Sequence, residues 1–235
     1  MHAMFGRVPA TYDLCNRLLT LRLDERWRRQ AAAVCLEGRP ARVLDLGTGT
    51  GDLALWLRRL APAGAPASIV GLDYSLPMLQ AARQKAQRRG AADRGVGPRW
   101  VLADAAAVPF PDGLFDAVGI GFAFRNLTFQ NPGRDRFLAE IRRVLRPGGR
   151  LVIVETSQPA PRPVRWLVHA YYARVVGPVG GLVSGQRAAY RYLAHSAAHY
   201  LDAAGVAALL QAAGFSAVRC QPRWLGVATL YTAVR

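Results

Sequence analysis

The chain has 235 residues, a length that suits one α/β domain, and its formal net charge is +16. Nearly all of the positive charge is arginine, because Lys85 is the only lysine. Three cysteines without metal-ligand spacing argue against a disulfide framework and indicate a reducing compartment. The sequence has no apolar run long enough to span a bilayer and no signal-peptide core, so we expect a cytoplasmic protein.

The positive charge has two functional interpretations and a neutral one. It fits attraction to phosphate, either of nucleic acid or of an anionic membrane surface. A genome rich in arginine codons explains it equally well, since the arginines are spread along the chain. The sequence contains no basic segment interleaved with aromatic residues, as RNA-binding modules have. The charge therefore favours a membrane surface over nucleic acid.

The first strong pattern is a predicted strand and glycine-rich turn at 43–52. An apolar run ends at Asp45, and three glycines then alternate with two threonines before a helix-forming segment. Glycine reaches positive φ without steric cost, and its bare backbone lets a ligand lie against main-chain N–H groups. The alternation G-x-G-x-G differs from the dinucleotide fingerprint. Gly49, Gly51 and Ala54 satisfy its looser form, so a nicotinamide site stays open at this point.

Two further apolar runs end at acidic residues. The run 68–73 ends at Asp73, about 20 residues beyond the glycines, which is the spacing of a ribose-binding carboxylate. Ser75 is predicted to cap the helix that follows. The run 99–103 is followed by Asp104. A nicotinamide enzyme explains Asp73 but not Asp104, so the acids favour another cofactor.

The rest of the chain completes a sheet. Strands are predicted near 115–121 and 150–156, with 145–149 as the turn before the later one, and a C-terminal pair near 216–222 and 227–234 supplies an antiparallel strand. The predicted fold is a single doubly wound, Rossmann-like α/β domain with a seven-stranded, mostly parallel sheet. One antiparallel strand lies near its C-terminus, and a helical insertion precedes the last helix.

These features resemble the class I S-adenosylmethionine-dependent methyltransferases, whose first motif is an acid followed by a G-x-G-x-G loop. Within that class, the chain is similar to the ubiquinone/menaquinone biosynthesis C-methyltransferase family. The segments that carry this resemblance are 4–16 with its Tyr12-Asp13 pair, Trp27-Arg28-Arg29, the Phe-Ala-Phe-Arg-Asn run at 122–126, the Tyr-Arg-Tyr-Leu run at 190–193 and the Gly-Phe ending of 209–215.

The resemblance implies S-adenosylmethionine as methyl donor and no metal. It also implies that the whole chain is one methyltransferase domain, with 1–40 as an N-terminal helical lid and 159–200 as a helical cap over the substrate site. One departure is Gly121, where the family often has serine. The implied cofactor-binding residues are Asp45, Gly47, Thr48, Gly49, Thr50, Gly51, Asp73, Tyr74, Asp104, Ala105 and Gly121.

Methylation of a quinol ring carbon requires a phenolate to be stabilised and a ring proton to be accepted. The resemblance implies Arg125, Asn126 and Tyr12 for these tasks. A guanidinium stays protonated, so Arg125 would stabilise the phenolate while a water or Asn126 relays the proton. The structural alternatives are a surface ion pair for Arg125 and half-buried packing for Tyr12. On chemistry alone, the candidate bases are His169, His195 and His199.

The implied reaction is the conversion of demethylmenaquinol to menaquinol, and a benzoquinol of ubiquinone biosynthesis is the alternative substrate. Phe122 and Phe124 predict a flat apolar slot that suits a fused bicyclic ring. The expected partners are the polyprenylated quinol and an anionic membrane at the inner face of the cell, with no nucleic acid. An RNA methyltransferase is disfavoured by the absence of an Asn-Pro-Pro-aromatic motif. A cofactor-binding protein without catalysis and a homodimer both stay open.

Overall fold

The computed structural model describes residues 17, 19–62, 68–90, 97–185 and 187–235. Within them, seven strands form one sheet in the order β3-β2-β1-β4-β5-β7-β6. Strand β7 runs antiparallel to both β5 and β6, and the other neighbouring pairs are parallel. The predicted sheet is confirmed. The strands are β1 (Arg42–Leu46), β2 (Ser68–Asp73), β3 (Arg99–Leu102), β4 (Phe115–Gly121), β5 (Leu145–Thr156), β6 (Ser216–Arg223) and β7 (Ala228–Val234).

Helices follow most strands and cover both faces of the sheet. A π-helical turn, Tyr172–Val176, joins two of them, and a 3₁₀ turn, Trp224–Gly226, precedes β7. The α-helices are α1 (Leu23–Cys35), α2 (Asp52–Leu60), α3 (Leu76–Arg88), α4 (Phe124–Thr128), α5 (Arg134–Val144), α6 (Arg162–Tyr171), α7 (Gly177–Ser184), α8 (Arg187–His199) and α9 (Ala203–Ala212).

Alternate residues of each central strand enter two separate hydrophobic clusters, because successive side chains of a strand point to opposite faces. Val43 of β1 packs in the cluster that contains residues of α1 and α2. Its neighbour Leu44 packs in the cluster that contains residues of α5 and α9. Burial on both faces explains why these strands are nearly continuous apolar runs in the sequence.

Two local predictions need correction. Strand β5 begins at Leu145, because Leu145 pairs with Phe115 of β4 before the register shifts. The predicted turn 145–149 is thus an irregular start of the strand, tied to the C-terminus by two backbone hydrogen bonds of 3.0 Å to Arg235. Ser75 is the N-cap residue of α3, but its hydroxyl makes no capping hydrogen bond.

The segment 159–200 forms helices, as predicted, and they continue from the end of β5. Val176 and Tyr190 are the buried residues of a small third cluster, packed against Leu19, Tyr172 and Leu193. No helix among the described residues is long and apolar enough to cross a membrane.

Candidate active site

The order of the parallel strands reverses between β1 and β4, and the carboxyl ends of such strands border the usual ligand crevice. A cavity of about 380 Å³, here called the loop cavity, lies at this edge. The predicted cofactor residues all line it except Gly51. Gly51 instead precedes the first residue of α2 with φ +83°, and a Cβ atom there would lie 2.7 Å from the Trp100 ring.

Two carboxylates hold the glycine loop in place. Asp45 Oδ2 accepts hydrogen bonds from Thr48 Oγ1 at 2.5 Å and from the Ala54 N–H at 2.9 Å. Asp73 Oδ2 accepts from the Gly49 N–H at 2.8 Å, and its Oδ1 accepts from the Ser75 N–H at 2.9 Å. These four hydrogen bonds hold the conformation of the loop.

Burial raises the pKa of both of these acids. Asp45 is 1% exposed, and burial raises its pKa to about 7, although hydrogen bonds from Thr48 and Ala54 and the charge of Arg28 oppose the shift. Burial also raises the pKa of Asp73, against its backbone hydrogen bonds. Asp45 Oδ1 and Ser75 Oγ have no hydrogen-bond partner among the described residues. Since both residues line the loop cavity, a polar ligand there would satisfy them.

A second, larger cavity of about 540 Å³ adjoins the helical segment, and we call it the apolar cavity. Leu167 and Val168 of α6, Tyr172 of the π-helical turn, and Tyr190 and Leu193 of α8 line one side of it. The residues before and within α1 line another side, including Leu19, Leu21, Leu23 and Trp27.

Three residues line both cavities: Arg28, Phe122 and Asn126. The guanidinium of Arg28 lies over the Phe122 ring, with 4.7 Å between Cζ and the ring centroid. Phe122 directly follows β4 and has φ +61°, an uncommon conformation for a residue with a side chain. The two cavities therefore meet where β4 ends and α4 begins.

Arg125 lines the apolar cavity and is not part of the loop cavity wall. Its backbone N–H donates to Glu155 Oε2 at 2.9 Å, and its Nε lies 3.7 Å from Glu155 Oε1. Its Nη1 also donates to Ser196 Oγ. Arg125 is 2% exposed and Glu155 is fully buried, so the surface ion pair considered for this arginine is wrong. The pair lies inside the protein.

Other predicted residues fall in different places. Phe124 is fully buried in the hydrophobic core and lines neither cavity, so its predicted place in the ring slot is wrong. Tyr12 lies outside the described residues. His169 contacts Gln158 Oε1 at 2.7 Å, and His195 stacks on His199 at 4.3 Å between ring centroids. None of these three histidines lines either cavity in the described part of the chain.

Sequence reasoning gave no function to Glu155, Ser196 or Arg28. Glu155 was visible as an acid at the end of the fifth strand, and Ser196 follows the Tyr-Arg-Tyr-Leu segment. Their link to Arg125 spans 30 and 71 residues of sequence, respectively. Only the folded structure, in which Arg125 of α4 contacts Glu155 of β5 and Ser196 of α8, reveals that link.

The model of the ubiE/COQ5 methyltransferase family matches residues 1–235. The chain belongs to this family. A demethylmenaquinone methyltransferase of Thermus thermophilus is 45% identical over 99% of this chain and 100% of its own length. The Deinococcus radiodurans enzyme of the same name is 42% identical over 90% and 83%. A ubiquinone/menaquinone biosynthesis C-methyltransferase of Geobacter sulfurreducens is 38% identical over 97% and 86%.

Solved structures agree on the fold of this ubiE/COQ5 family member. A SAM-dependent methyltransferase from Aquifex aeolicus has a TM-score of 0.56 at 19% identity, covering 83% of this chain and 81% of its own. An O-methyltransferase family protein from Burkholderia thailandensis has a TM-score of 0.66 at 16% identity, covering 96% and 59%. The protein is a methyltransferase of the ubiE/COQ5 family with a Rossmann-like sheet.

Proposed function

We propose that this protein transfers a methyl group from S-adenosylmethionine to a ring carbon of demethylmenaquinol, giving menaquinol. The observation that carries the proposal is the meeting of the loop cavity with an apolar cavity of about 540 Å³ at Arg28, Phe122 and Asn126. A methyl donor in the first cavity and a large apolar acceptor in the second would face each other there. The names of the most similar relatives support the choice of substrate.

The residues of the loop cavity fit the cofactor. The carboxylate of Asp73, at the end of β2, would accept hydrogen bonds from the ribose hydroxyls. Asp104, which follows β3, would meet the adenine, and Asp45 Oδ1 would accept from the α-ammonium group. Bound S-adenosylmethionine supplies an electrophilic methyl group on a sulfonium. The protein's own contribution is to hold donor and acceptor in line and to exclude water.

On the acceptor side, Arg125 would donate N–H groups to a ring oxygen and stabilise the phenolate that makes the ring carbon nucleophilic. Glu155 and Ser196 interact with its guanidinium and would hold it in position. Asn126, which lines both cavities, would position a water or relay the ring proton. Tyr12 would contribute a further hydroxyl group.

The apolar cavity would hold the polyprenyl tail, with 159–200 as its cap and 1–40 as a lid. Leu167, Leu225 and Leu21 line this cavity and are also among the exposed large hydrophobic residues, so the cavity opens at an apolar rim. Trp166 and Trp224 are exposed as well. Each methylene taken from water is worth about 0.8 kcal/mol. We therefore infer that the rim docks on an anionic membrane, where the tail can enter without crossing water.

The deciding experiment is incubation with methyl-labelled S-adenosylmethionine, under reducing conditions, in three parallel reactions. One contains demethylmenaquinol, one a benzoquinol precursor of ubiquinone and one total RNA. We expect label in the naphthoquinol. Label in the benzoquinol alone would show that the substrate is a benzoquinol, while the reaction would still be the methylation of a quinol ring. Label in RNA, or in none of the three, would refute the quinol methyltransferase.

A further inference from the structure

A buried arginine, Arg28, lies where the loop cavity meets the apolar cavity. Arg28 of α1 is 7% exposed and forms an ion pair with Asp24, four residues earlier on the same helix. A cation is costly to bury, so a buried arginine in the wall of a ligand cavity is a candidate for contact with an anionic group of the ligand.

The position of Arg28 along the loop cavity follows from the strand order. The cavity runs past the ends of β3, β2, β1 and β4, where Asp104, Asp73, Asp45 and Gly121 lie in that order. A Cβ atom at Gly121 would lie 3.6 Å from Arg28 Nε. Arg28 is therefore at the β4 end, away from the acids proposed for ribose and adenine.

At this end the cavity wall carries both a positive charge and negative charges, as would suit a ligand with one ammonium and one carboxylate group. The positive charge of Arg28 acts to lower the pKa of both Asp45 and Asp52, so it faces two carboxylates of the loop cavity wall. Asp45 Oδ1 has no hydrogen-bond partner among the described residues. Asp52 already pairs with Lys85, with 2.9 Å between Oδ1 and Nζ. An ammonium group would be attracted to Asp45, whereas a carboxylate near Asp45 would need a cation to receive it. Arg28 supplies a positive charge in the wall of the cavity at this end.

We propose that Arg28 binds the α-carboxylate of S-adenosylmethionine, which rests on the proposed placement of the cofactor in the loop cavity. A guanidinium carries five N–H donors in a planar fork, so it can hold Asp24 and a second carboxylate together. The Phe122 ring beneath it fixes the plane of the fork. Arg28 thereby places the amino-acid end of the cofactor at β4 and the sulfonium beside the junction with the apolar cavity.

Calorimetry with two donors tests this role. S-adenosylmethionine carries the α-carboxylate, and decarboxylated S-adenosylmethionine lacks that group alone. We expect Arg28→Gln to weaken binding of the first about tenfold to a hundredfold, the scale of a lost charge-assisted hydrogen bond, and to leave binding of the second unchanged. Arg29→Gln is the matched control, because Arg29 is an exposed arginine of the same helix as Arg28. Its guanidinium lies over the ring of Trp56, which belongs to α2. This variant should leave both affinities unchanged.

A second variant separates binding from folding. Arg28→Gln leaves the buried Asp24 without its ion pair, whereas Asp24→Asn with Arg28→Gln removes both charges. The double variant should show the same selective loss, and its normal affinity for the decarboxylated donor would report an intact cavity.

Four outcomes would overturn the inference. Equal losses for the two donors would show that Arg28 only shapes the cavity, and no loss for either would show that it does not bind the donor. A raised KM for the quinol with unchanged donor affinity would assign Arg28 to the acceptor. These three results leave the proposed function standing. Failure of the unaltered protein to bind S-adenosylmethionine at all would refute the placement of the cofactor and the inference together.

Discussion

At the scale of single residues, Asp45 has a pKa far from its ordinary value. Burial raises it from 3.8 to about 7 in the folded protein. Between these values the folded state keeps a proton that the unfolded chain has released. The free energy of unfolding should therefore fall as the pH rises through this window, with no further contribution from Asp45 above it.

Asp45→Asn removes this titration, so the variant should lose less stability than the unaltered protein between the acid and neutral ends of the window. Urea denaturation at the two ends measures the difference. Asp104→Asn is the control, because Asp104 lines the same cavity but is exposed. Identical pH dependence in all three proteins would show that Asp45 is ionised across the whole range.

Asp73 should contribute to cofactor binding in two ways. Its carboxylate would bind the ribose, and it already holds the Gly49 and Ser75 N–H groups of the loop cavity wall. Asp73→Ala should weaken S-adenosylmethionine binding by several kcal/mol at most, since charge-assisted hydrogen bonds are worth about 1.5–3 kcal/mol each. Calorimetry on the folded variant measures the loss. Unchanged affinity would refute the assignment.

Arg125 should affect turnover and leave donor binding nearly intact, because it lines only the apolar cavity. Arg125→Ala should lower kcat about a hundredfold or more, the scale of losing one positioned electrostatic group. Arg125→Lys should rescue poorly, because an ammonium lacks the planar fork. Steady-state kinetics on demethylmenaquinol, with calorimetry for S-adenosylmethionine, checks both parts.

The control for Arg125 follows from its buried partner. Arg125→Ala alone leaves Glu155 buried without its cation, which costs about 3–5 kcal/mol of stability. Arg125→Ala with Glu155→Gln should recover much of that stability but not the turnover. If the double variant regained activity, the role of Arg125 would be to neutralise Glu155 rather than to bind substrate.

At the scale of elements, the glycine turn between β1 and α2 decides where the backbone can pass. Gly49 and Gly51 both have positive φ, at +54° and +83°. A Cβ atom at Gly49 would meet nothing within 4 Å, while one at Gly51 would lie 2.7 Å from Trp100. The first glycine thus leaves space in the loop cavity, and the second allows α2 to start against β3.

This difference predicts unequal costs of substitution in the cofactor-free protein. Gly49→Ala should lose about 1–2 kcal/mol of stability, the cost of a left-handed conformation with a side chain. Gly51→Ala should lose more, because the added methyl group also displaces Trp100. Denaturant unfolding of the two variants gives the comparison. Equal losses would mean that the Trp100 ring moves aside freely.

At the scale of the whole molecule, the net charge of +16 and the apolar rim of the larger cavity both favour the proposed binding to an anionic membrane. Arginines would attract the protein to anionic lipid, and the rim residues would then enter the interface. Flotation with vesicles of neutral and anionic phospholipid should show binding to the anionic ones only. The binding should weaken as salt shortens the Debye length below about 10 Å.

Trp166→Ala combined with Trp224→Ala should reduce this binding, since both tryptophans are exposed. Leu76→Ala is the matched control, because Leu76 is an exposed apolar residue at the start of α3 and lines neither cavity. A protein that stayed unbound with anionic vesicles at low salt would refute the membrane proposal. A tryptophan variant that bound as well as the control would refute the choice of surface.

The sequence by itself determined the sheet and most of the loop cavity. Asp45, Asp73 and Asp104 each lie at or just beyond the carboxyl end of an apolar run, and parallel strands bring such ends to one edge. Many residues that line the cavity therefore lie next to a strand end or a glycine-rich turn, which can be recognised from a short stretch of sequence. The predicted strand boundaries differ from the observed ones by more than one residue only at 145–149, where an irregular start of β5 resembles a turn.

The tertiary structure alone decided what faces the acceptor side. Phe122 and Phe124 are two residues apart, yet the first lines both cavities and the second lies in the core. Arg125 takes its partners from β5 and α8, and Arg28 reaches the loop cavity from α1. These contacts join segments that are far apart in the chain. Their geometry depends on how helices pack over the sheet, which no local pattern contains.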